Sequence, residues 1–337
     1  MNSARPKLSD VARHAGVSVS TVSRVLNDRG YLSADVRARV ATAVAELGYR
    51  PNEVARSLLG RGSRVVGLIV PTVADPFFGE LAARIEGVLD DEGYKMLLCD
   101  SHNNAEREAG YLDLLIGQQV EGIITSTHNE GLGIYAQAGL PIVALDRAIG
   151  TDVPNVRSDN AAGGELATRA LIAAGYERIM HVSSSARADD GRHTGYRDAI
   201  EGAGLAPHVF AFGFASSLEQ RRTAIHAELD RVRPDGVFAS DDVSALMVLD
   251  WAHARGVAVP DELGVVGYDG AQLLRYIAPH LATVRQPIAD LAAAAVATLR
   301  ERIAGDTTAD AEAPAREIVL PVEFFPGSTI RGRITPG

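Results

Sequence analysis

The chain has 337 residues, 46% of them hydrophobic, which is enough for two or three compact units with hydrophobic cores of their own. Its single cysteine, Cys99, excludes an intramolecular disulfide, and no apolar run reaches the roughly 18 to 20 residues that a membrane span needs. The net charge of −10 at pH 7 argues against a generic nucleic-acid-binding protein. The N-terminal residues lack the pattern of a secretory signal peptide, so we expect a cytoplasmic protein.

The charge is unevenly spread along the chain. Residues 1–64 hold eleven Lys and Arg against five Asp and Glu, a net of +6, and the remainder carries −16. A small basic segment attached to an acidic body indicates that the segment contacts a polyanion and the body does not. Chance variation in charge is the alternative.

Three short helices are predicted before residue 50. The first is capped by Ser9 and stopped by Gly16. The second begins after Ser18, and the third runs from Ser33 to a stop at Gly48. Their apolar residues repeat at helical spacing, which predicts one small shared core. These residues are Leu8, Val11, Ala12, Ala15, Val22, Val25, Leu26, Val36, Val40, Ala43, Val44 and Leu47.

A turn of about three residues containing Gly16 joins the first two helices, which is typical of a helix-turn-helix. In that arrangement the second helix lies in the DNA major groove with its N-terminal residues toward the base edges. Val19, Ser20 and Arg24 fall on a different face from the inward residues of this helix. From the spacing alone, a plain helical hairpin remains the alternative.

The segment PNEVARSLLG at 51–60 predicts a further short helix, which Asn52 can cap. So few residues do not form a stable isolated helix in water, so we expect this helix to be ordered only when it docks on something. An exposed leucine on it could wedge into a base step and open the minor groove. A linker helix that packs on the body is the alternative.

The motifs AGVSVSTVSRVLN and GYRPNEVARSL together resemble the DNA-binding headpiece of LacI/GalR-family transcriptional repressors. The chain resembles this family to near residue 330. The resemblance implies a headpiece at 1–50 and a hinge helix with linker at 51–61. Val19 and Ser20 differ from the larger polar pair of the lactose-repressor branch, so the operator of that branch is not assumed.

The resemblance also implies which residues bind DNA. Base edges are expected to be read by Val19, Ser20 and Arg24. Contacts to phosphates are implied for Ser18, Thr21, Ser23 and Asn27, and minor-groove contacts of the hinge helix for Asn52, Ala55 and Leu58.

From residue 62 onward, apolar strand-like runs alternate with helical patterns, which indicates parallel sheets covered on both faces. Roughly 270 residues are too many for one core, so two lobes are expected. The predicted strands are 65–70, 94–99, 122–126, 142–146, 178–183, 236–240 and 264–269. The predicted helices are 78–93, 105–119, 161–175, 191–204, 218–232 and 242–256.

For the fold, the family resemblance implies an all-α helix-turn-helix headpiece and a two-lobed α/β body like the type I periplasmic binding proteins. It places the N-lobe at about 62–158 and 288–316. The C-lobe is expected at about 159–284 and 317–330, with a tail at 331–337.

Ligands of open parallel sheets bind beyond the carboxyl ends of the strands, where several polar and aromatic residues of this chain fall. Carboxylates and guanidinium groups there can bind paired hydroxyls while an aromatic face covers the ligand, which suits a sugar. Helix caps or surface ion pairs are the alternative for the aspartates, and core positions for the phenylalanines. The resemblance implies an effector site of Asp75, Phe77, Phe78, Asp146, Arg147, Arg192, Phe214, Asp241, Asp269 and Gln286.

The common catalytic motifs are missing from the sequence, namely a dinucleotide-binding GxGxxG turn, a P-loop, a GxSxG elbow and HExxH. We therefore expect no enzymatic activity, no cofactor and no metal. Two other functions stay open, which are a solute-binding protein without a role on DNA and a corepressor-type regulator that senses a nucleobase.

One headpiece reads only a few base pairs, so we expect a homodimer on a near-palindromic operator. The expected effector is a sugar or sugar derivative, and induction is favoured over corepression. The effector can change DNA binding only through its different affinities for two arrangements of the lobes.

Overall fold

The computed structural model describes residues 6–26, 31–49, 62–126, 133–185, 187, 190–213, 216–305 and 316–332. The predicted hinge segment 51–61 lies outside the described residues, as do the predicted site residues Asn27, Asn52, Ala55, Leu58 and Phe214. The chain divides into two compact units, Met1–Ser63 and Arg64–Gly337.

The first unit contains the three predicted helices, α1 Leu8–Ala15, α2 Val19–Leu26 and α3 Ala34–Leu47. Val11, Val22 and Val40 are completely buried, and each comes from a different helix. The three helices therefore share one small apolar core, as their spacing predicts.

Local hydrogen bonds set most ends of these helices. The Ser18 Oγ accepts from the Thr21 amide at 3.1 Å, and the Ser33 Oγ caps α3. Gly16 and Gly48 adopt left-handed backbone at φ 64° and 59°, which stops α1 and α3 as predicted.

The prediction that Ser9 caps α1 is wrong. The helix begins earlier, with Lys7 as its N-cap residue, and the Asp10 carboxylate accepts from the Lys7 amide at 2.8 Å. Because Asp10 already satisfies a free amide at this helix end, Ser9 can lie inside the first turn.

The second unit is an α/β body of two lobes, each built on one six-stranded sheet. The N-lobe sheet consists of β1 Val65–Val70, β2 Lys95–Asp100, β3 Gly122–Thr125, β4 Ile142–Leu145, β5 Asn155–Ser158 and β11 Glu317–Leu320, in the order β11-β5-β4-β3-β1-β2. The C-lobe sheet consists of β6 Ile179–Ser183, β7 His208–Ala211, β8 Gly236–Ala239, β9 Gly264–Asp269, β10 Ala282–Arg285 and β12 Glu323–Phe325, in the order β12-β10-β9-β8-β6-β7.

Helices cover both sheets. They are α4 Pro76–Asp91, α5 Ala105–Gly117, α6 Asn160–Ala173, α7 Gly191–Gly202, α8 Leu218–Val232, α9 Asp242–Arg255, α10 Gln272–Ile277 and α11 Ile288–Ile303, with a 3-10 helix at Tyr135–Gln137. Every strand pairing in the described body is parallel except that of β10 with β12. Parallel sheets require cover on both faces, which explains why strands such as β1 are apolar throughout.

None of the described helices has the length and apolar character needed to cross a membrane.

One predicted lobe boundary is wrong. Residues 317–320, expected in the C-lobe, form β11 and pair in parallel with β5 of the N-lobe, with Glu317 opposite Asn155. Ile318 and Leu320 pack on the N-lobe core, and this burial holds the strand at the sheet edge. The chain then enters the C-lobe sheet as β12.

Two glycines bring α6 and α7 into backbone contact. A Cβ at Gly164 would lie 2.2 Å from the Arg192 carbonyl oxygen, and one at Gly195 would lie 2.0 Å from the Ala161 carbonyl oxygen. Only glycine permits so close an approach. The contact sets the N-terminal ends of both helices side by side at the carboxyl ends of the C-lobe strands.

Replacing Gly195 with Ala should therefore destabilise the protein by about 3 kcal/mol, because the new methyl group meets backbone that cannot move aside. Gly202→Ala in the same helix is the matched control, since a Cβ there meets nothing within 4 Å. It should be neutral or stabilise by about 0.5–1 kcal/mol. Urea unfolding measures both; equal free energies of unfolding for the two variants would contradict the close helix contact.

Candidate DNA-reading helix and effector cleft

The first turn of α2 exposes the residues that the sequence predicts to read bases. Val22 is completely buried, whereas Ser18, Ser20 and Arg24 are exposed and Val19 retains 47% of its surface. An apolar side chain so exposed on a short helix gains nothing from the core of its own unit. The orientation of α2 therefore leaves this face open for a major groove.

Hydroxyl groups gather at the N-terminus of the same helix. The Ser18 Oγ lies 2.8 Å from the Ser20 Oγ and 2.8 Å from the Thr21 Oγ1. Ser23 is half-buried on the following turn. Hydroxyls and free amides at a helix N-terminus suit contacts to phosphate oxygens.

The predicted effector residues come from strand ends of both lobes. Asp75 follows β1 and Asp146 follows β4 in the N-lobe, while Asp241 follows β8 and Asp269 ends β9 in the C-lobe. The charge of Asp241 raises the pKa of Asp75, and that of Asp75 raises the pKa of Asp269, so carboxylates of the two lobes influence one another. The two rows of strand ends thus enclose one cleft.

Two polar contacts join the lobes at this cleft. Asn160 at the start of α6 donates its Nδ2 to the Asp146 Oδ1 at 3.1 Å. The Arg147 Nη2 donates to the Asp190 Oδ2 at 3.4 Å. These four side chains therefore lie at the boundary between the lobes.

Arg192 is the central cation of the C-lobe side. Its Nε donates to the Asn160 Oδ1 at 3.1 Å, its Nη1 donates to the Ser240 carbonyl oxygen, and its Nη2 lies 3.6 Å from the Asp269 Oδ1. The guanidinium lies 4.0 Å from the centre of the Tyr268 ring. Burial by itself lowers the pKa of Arg192, but Asp269 acts together with Tyr268, Asp146 and Asp190 to raise this pKa above its ordinary value, so the arginine stays charged.

Asp269 is held by Gln286. The Gln286 Nε2 donates to the Asp269 Oδ1 at 2.7 Å, whereas its buried Oε1 has no hydrogen-bond partner among the described residues. Burial raises the pKa of Asp269 well above its ordinary value, although Arg192 opposes this. An acceptor without a partner beside a carboxylate suits a ligand that donates hydrogen bonds, such as a hydroxyl.

Asp75 and Asp241 also cap helices, as the alternative interpretation of the aspartates expects. The Asp75 Oδ1 accepts from the Phe77 amide at 2.9 Å, and the Asp241 Oδ1 accepts from the Ser244 amide at 2.7 Å. Burial and then the charge of Asp241 raise the pKa of Asp75 to about 6. Their proposed contact with an effector stays a prediction.

Phe77 and Phe78 are 5% and 4% exposed and belong to the N-lobe core, with ring centres 5.1 Å apart at an edge-on angle. Their packing fits the alternative interpretation as core residues. An effector contact by either ring stays a prediction.

Several residues of the cleft were not predicted from the sequence. Asn160 and Asp190 cross-link the lobes, and Tyr268 supports Arg192. Asp242 binds the Gly270 amide and the Thr283 hydroxyl at 2.9 and 2.6 Å, and burial raises its pKa to about 7. Only Asp190 carried a local signal, because it stands where an N-cap of α7 is expected.

The cleft offers hydrogen-bonding groups and buried charges. In the part of the chain that the structure describes, no group of three or more His, Cys, Asp and Glu side chains is arranged to hold a metal ion. Such groups can form hydrogen bonds with a polar molecule that carries several hydroxyls.

Comparison with known proteins identifies the family. The model of "Bacterial regulatory proteins, lacI family" matches residues 7–52, and that of a "Periplasmic binding protein-like domain" matches residues 168–330. The Sucrose operon repressor of Pediococcus pentosaceus is 41% identical over 96% of this chain and 99% of its own length. This chain belongs to the LacI family. Membership confirms the predicted class of DNA-binding repressors, which are not enzymes, and the predicted headpiece and two-lobed body.

Other LacI-family members are similar over nearly the whole chain. The Ribose operon repressor of Halalkalibacterium halodurans is 39% identical over 88% of this chain and 90% of its own length. The crystal structure of the lac repressor dimer bound to operator and the anti-inducer ONPF superposes with a TM-score of 0.81 at 25% identity, covering 97% of this chain and 99% of that one.

The raised pKa of Asp75 has a measurable consequence for stability. Because this pKa rises from 3.8 to about 6 on folding, the folded protein binds more protons than the unfolded chain between these values. Stability therefore falls as the pH rises through this window, by about 3 kcal/mol from this residue. Asp75→Asn keeps a capping oxygen and removes the charge, so it should stabilise the protein at about pH 8 and not at about pH 4.

Chemical denaturation at both pH values measures this difference. Asp75→Ala is the matched variant, because it removes the charge and also the helix cap, and it should be less stable than Asp75→Asn by about 1 kcal/mol at either pH. A gain for Asp75→Asn that does not change with pH would contradict the buried carboxylate.

Proposed function

We propose that this protein is a homodimeric transcriptional repressor that binds a near-palindromic operator and releases it when an uncharged sugar enters the cleft between its lobes. The observation that carries the effector class is the buried Gln286 Oε1, which has no partner in the described structure and lies beside Asp269 and Arg192. The repressor acts on DNA, so the proposed location is the cytoplasm.

On the DNA, α2 enters the major groove. Arg24 suits guanine, which offers two acceptors on its major-groove edge, and the exposed Val19 suits the methyl group of thymine. Ser20 contacts a base edge as well, while Ser18, Thr21 and Ser23 hold phosphates. Asn27 and the hinge residues Asn52, Ala55 and Leu58 complete the proposed interface.

Exposed apolar side chains of the body support the homodimer. On the N-lobe, Leu97 and Leu98 of β2 are 39% and 45% exposed at the edge of the sheet. On the C-lobe, Tyr276 of α10 is 77% exposed beside the exposed Leu273 and Ile277. A second copy that covers these surfaces brings two headpieces to two half-sites of one operator.

The effector is proposed to be a sugar because the cleft combines buried carboxylates, a guanidinium group and an unused amide oxygen. Sugar hydroxyls both donate and accept, so one ring can satisfy all three kinds of group. The names of the relatives, which refer to the sucrose and ribose operons, agree with this class.

Induction is proposed to act on the contacts between the lobes. Asn160 and Asp146 join the lobes directly, and Asn160 also accepts from the Arg192 Nε. A sugar bound at Arg192 therefore favours one arrangement of the lobes over the other, and this difference is what changes DNA binding. The proposed sign is release of the operator.

For the reading helix, Arg24→Ala should lose about 1–3 kcal/mol on operator DNA and much less on unrelated DNA, because a base contact counts only on the right sequence. Fluorescence anisotropy against a duplex selected from a random pool measures both affinities across salt concentrations. Arg13→Ala is the control, because Arg13 is exposed on α1 and lies outside the reading helix, so any electrostatic loss should be equal on the two DNAs. An equal loss for Arg24→Ala would contradict its role in base reading.

The effector class is tested by thermal unfolding of the full-length protein against free sugars, sugar phosphates, nucleobases and nucleosides. A sugar at about 100 times its dissociation constant should add about 2.7 kcal/mol to the free energy of unfolding. Arg192→Lys, which keeps the charge and loses the planar donor set, should abolish the shift. Stabilisation by a nucleobase alone would instead support a corepressor, and no shift with any sugar would overturn the proposed effector class.

A further inference from the structure

Arg221 on α8 is a second arginine at the carboxyl ends of the C-lobe strands. It is 8% exposed, its Nη1 donates to the Asp241 Oδ1 at 3.4 Å, and its guanidinium lies 4.5 Å from the centre of the Phe212 ring. Its partner Asp241 directly follows Ser240, whose carbonyl oxygen accepts from Arg192, so Arg221 lies beside the C-lobe side of the cleft. Its charge also acts on Asp75 of the N-lobe.

The hydrogen bonds of Arg221 are incomplete. Its buried Nε has no acceptor among the described residues. Asp241 accepts from the Nη1 of this guanidinium, and its two oxygens also accept from the amide and the hydroxyl of Ser244, at 2.7 and 2.8 Å. A buried donor left without an acceptor costs about 1–3 kcal/mol, so a ligand oxygen at this position would remove a real penalty.

The surroundings of Arg221 repeat those of Arg192. Arg192 is partly buried and Arg221 is buried. Each lies over an aromatic ring and pairs with an aspartate at a strand end, which is Asp269 for Arg192 and Asp241 for Arg221. The same chemistry thus occurs twice in one cleft.

The aromatic rings under the two arginines stand on different strands of the C-lobe sheet. Tyr268, under Arg192, lies in β9, and Phe212, under Arg221, directly follows β7. These strands are three places apart in the order β9-β8-β6-β7, which corresponds to about 14 Å. The two guanidinium groups nevertheless contact neighbouring residues at the end of β8, because Arg192 donates to the Ser240 carbonyl oxygen and Arg221 to the Asp241 carboxylate. They therefore approach the same part of the cleft from different strands.

We propose that Arg221, Asp241 and Phe212 form a second sugar subsite, so that the cleft binds an uncharged disaccharide with one ring at Arg192 and the other at Arg221. The proposal rests on the sugar effector proposed above and narrows it to two linked rings. Arg221 donates its Nε to an oxygen of the second ring, and Phe212 supports the guanidinium from the opposite face.

The charges of the cleft oppose a phosphorylated sugar. Asp75, Asp241, Asp242 and Asp269 influence one another electrostatically, and burial raises the pKa of three of them, with values of about 6 for Asp75 and about 7 for Asp242. A phosphate group would add two negative charges to this cluster, in which Arg221 is already paired. Hydroxyl groups satisfy the same donors without that repulsion.

Isothermal titration calorimetry of the full-length protein tests the second subsite. The probes are sucrose and cellobiose, their component monosaccharides glucose and fructose, ribose, and sucrose 6-phosphate. We expect a disaccharide to bind at least about tenfold more tightly than any monosaccharide and than its phosphate ester. Arg221→Met, which keeps the length of the side chain and loses its donors, should remove this advantage and leave monosaccharide binding unchanged.

Arg222→Met is the matched control, because Arg222 is the neighbouring arginine on α8, is exposed and faces Asp250 at 3.8 Å. It should bind every sugar like the parent. If Arg221→Met does not fold because Asp241 loses its partner, the double variant Arg221→Met with Asp241→Asn removes both charges and should give the same loss.

Three results would overturn the second subsite. They are equal affinity for mono- and disaccharides, equal loss of both in Arg221→Met, and no effect of Arg221→Met. In these cases monosaccharide binding would still support the sugar effector. Binding of no sugar at all would overturn the effector proposal as well.

Discussion

The ion pair between Arg192 and Asp269 is the constraint around which the effector cleft is arranged. A charged group removed from water costs several kcal/mol unless nearby groups compensate it. The guanidinium of Arg192 finds this compensation in Asp269, in Asn160 and in the Ser240 carbonyl oxygen, with the face of Tyr268 beside it. Much of the C-lobe side of the cleft thus consists of groups that compensate the positive charge of Arg192.

Unusual backbone makes this pairing possible. Gly164 and Gly195 let α6 and α7 touch, which brings Asn160 to Arg192. Asp269 has a φ of 102°, and the next residue, Gly270, has no room for a side chain because a Cβ there would lie 2.4 Å from Arg285 Cγ. A non-glycine residue with such a φ is strained and persists only where its surroundings hold it in place. These close backbone contacts hold the C-lobe side of the cleft in place. The hydrogen bond from Asn160 to Asp146 connects it to the N-lobe.

Local patterns predicted much of the fold and the approximate place of the site. The predicted helix starts after Ser18 and near Ser33 and the stops at glycine are confirmed, because the hydrogen bonds that set these ends reach only a few residues along the chain. Five strands, β5, β7, β10, β11 and β12, were missed, since they are short and several are only partly buried. Such strands form because they pair with an adjacent strand of the sheet, and the local sequence pattern does not show which strand that is.

The sequence by itself determined the three helices of the headpiece, the alternation of strands and helices in the body, and the family through two motifs. Helical spacing, capping and apolar runs are properties of neighbouring residues, so one sequence suffices to read them. Only the tertiary structure decided that β11 joins the N-lobe, that Asn160 links the lobes, and that Arg221 lies at the cleft. These contacts join residues far apart in the chain, and their energies depend on burial and on partners that the folded structure alone brings together.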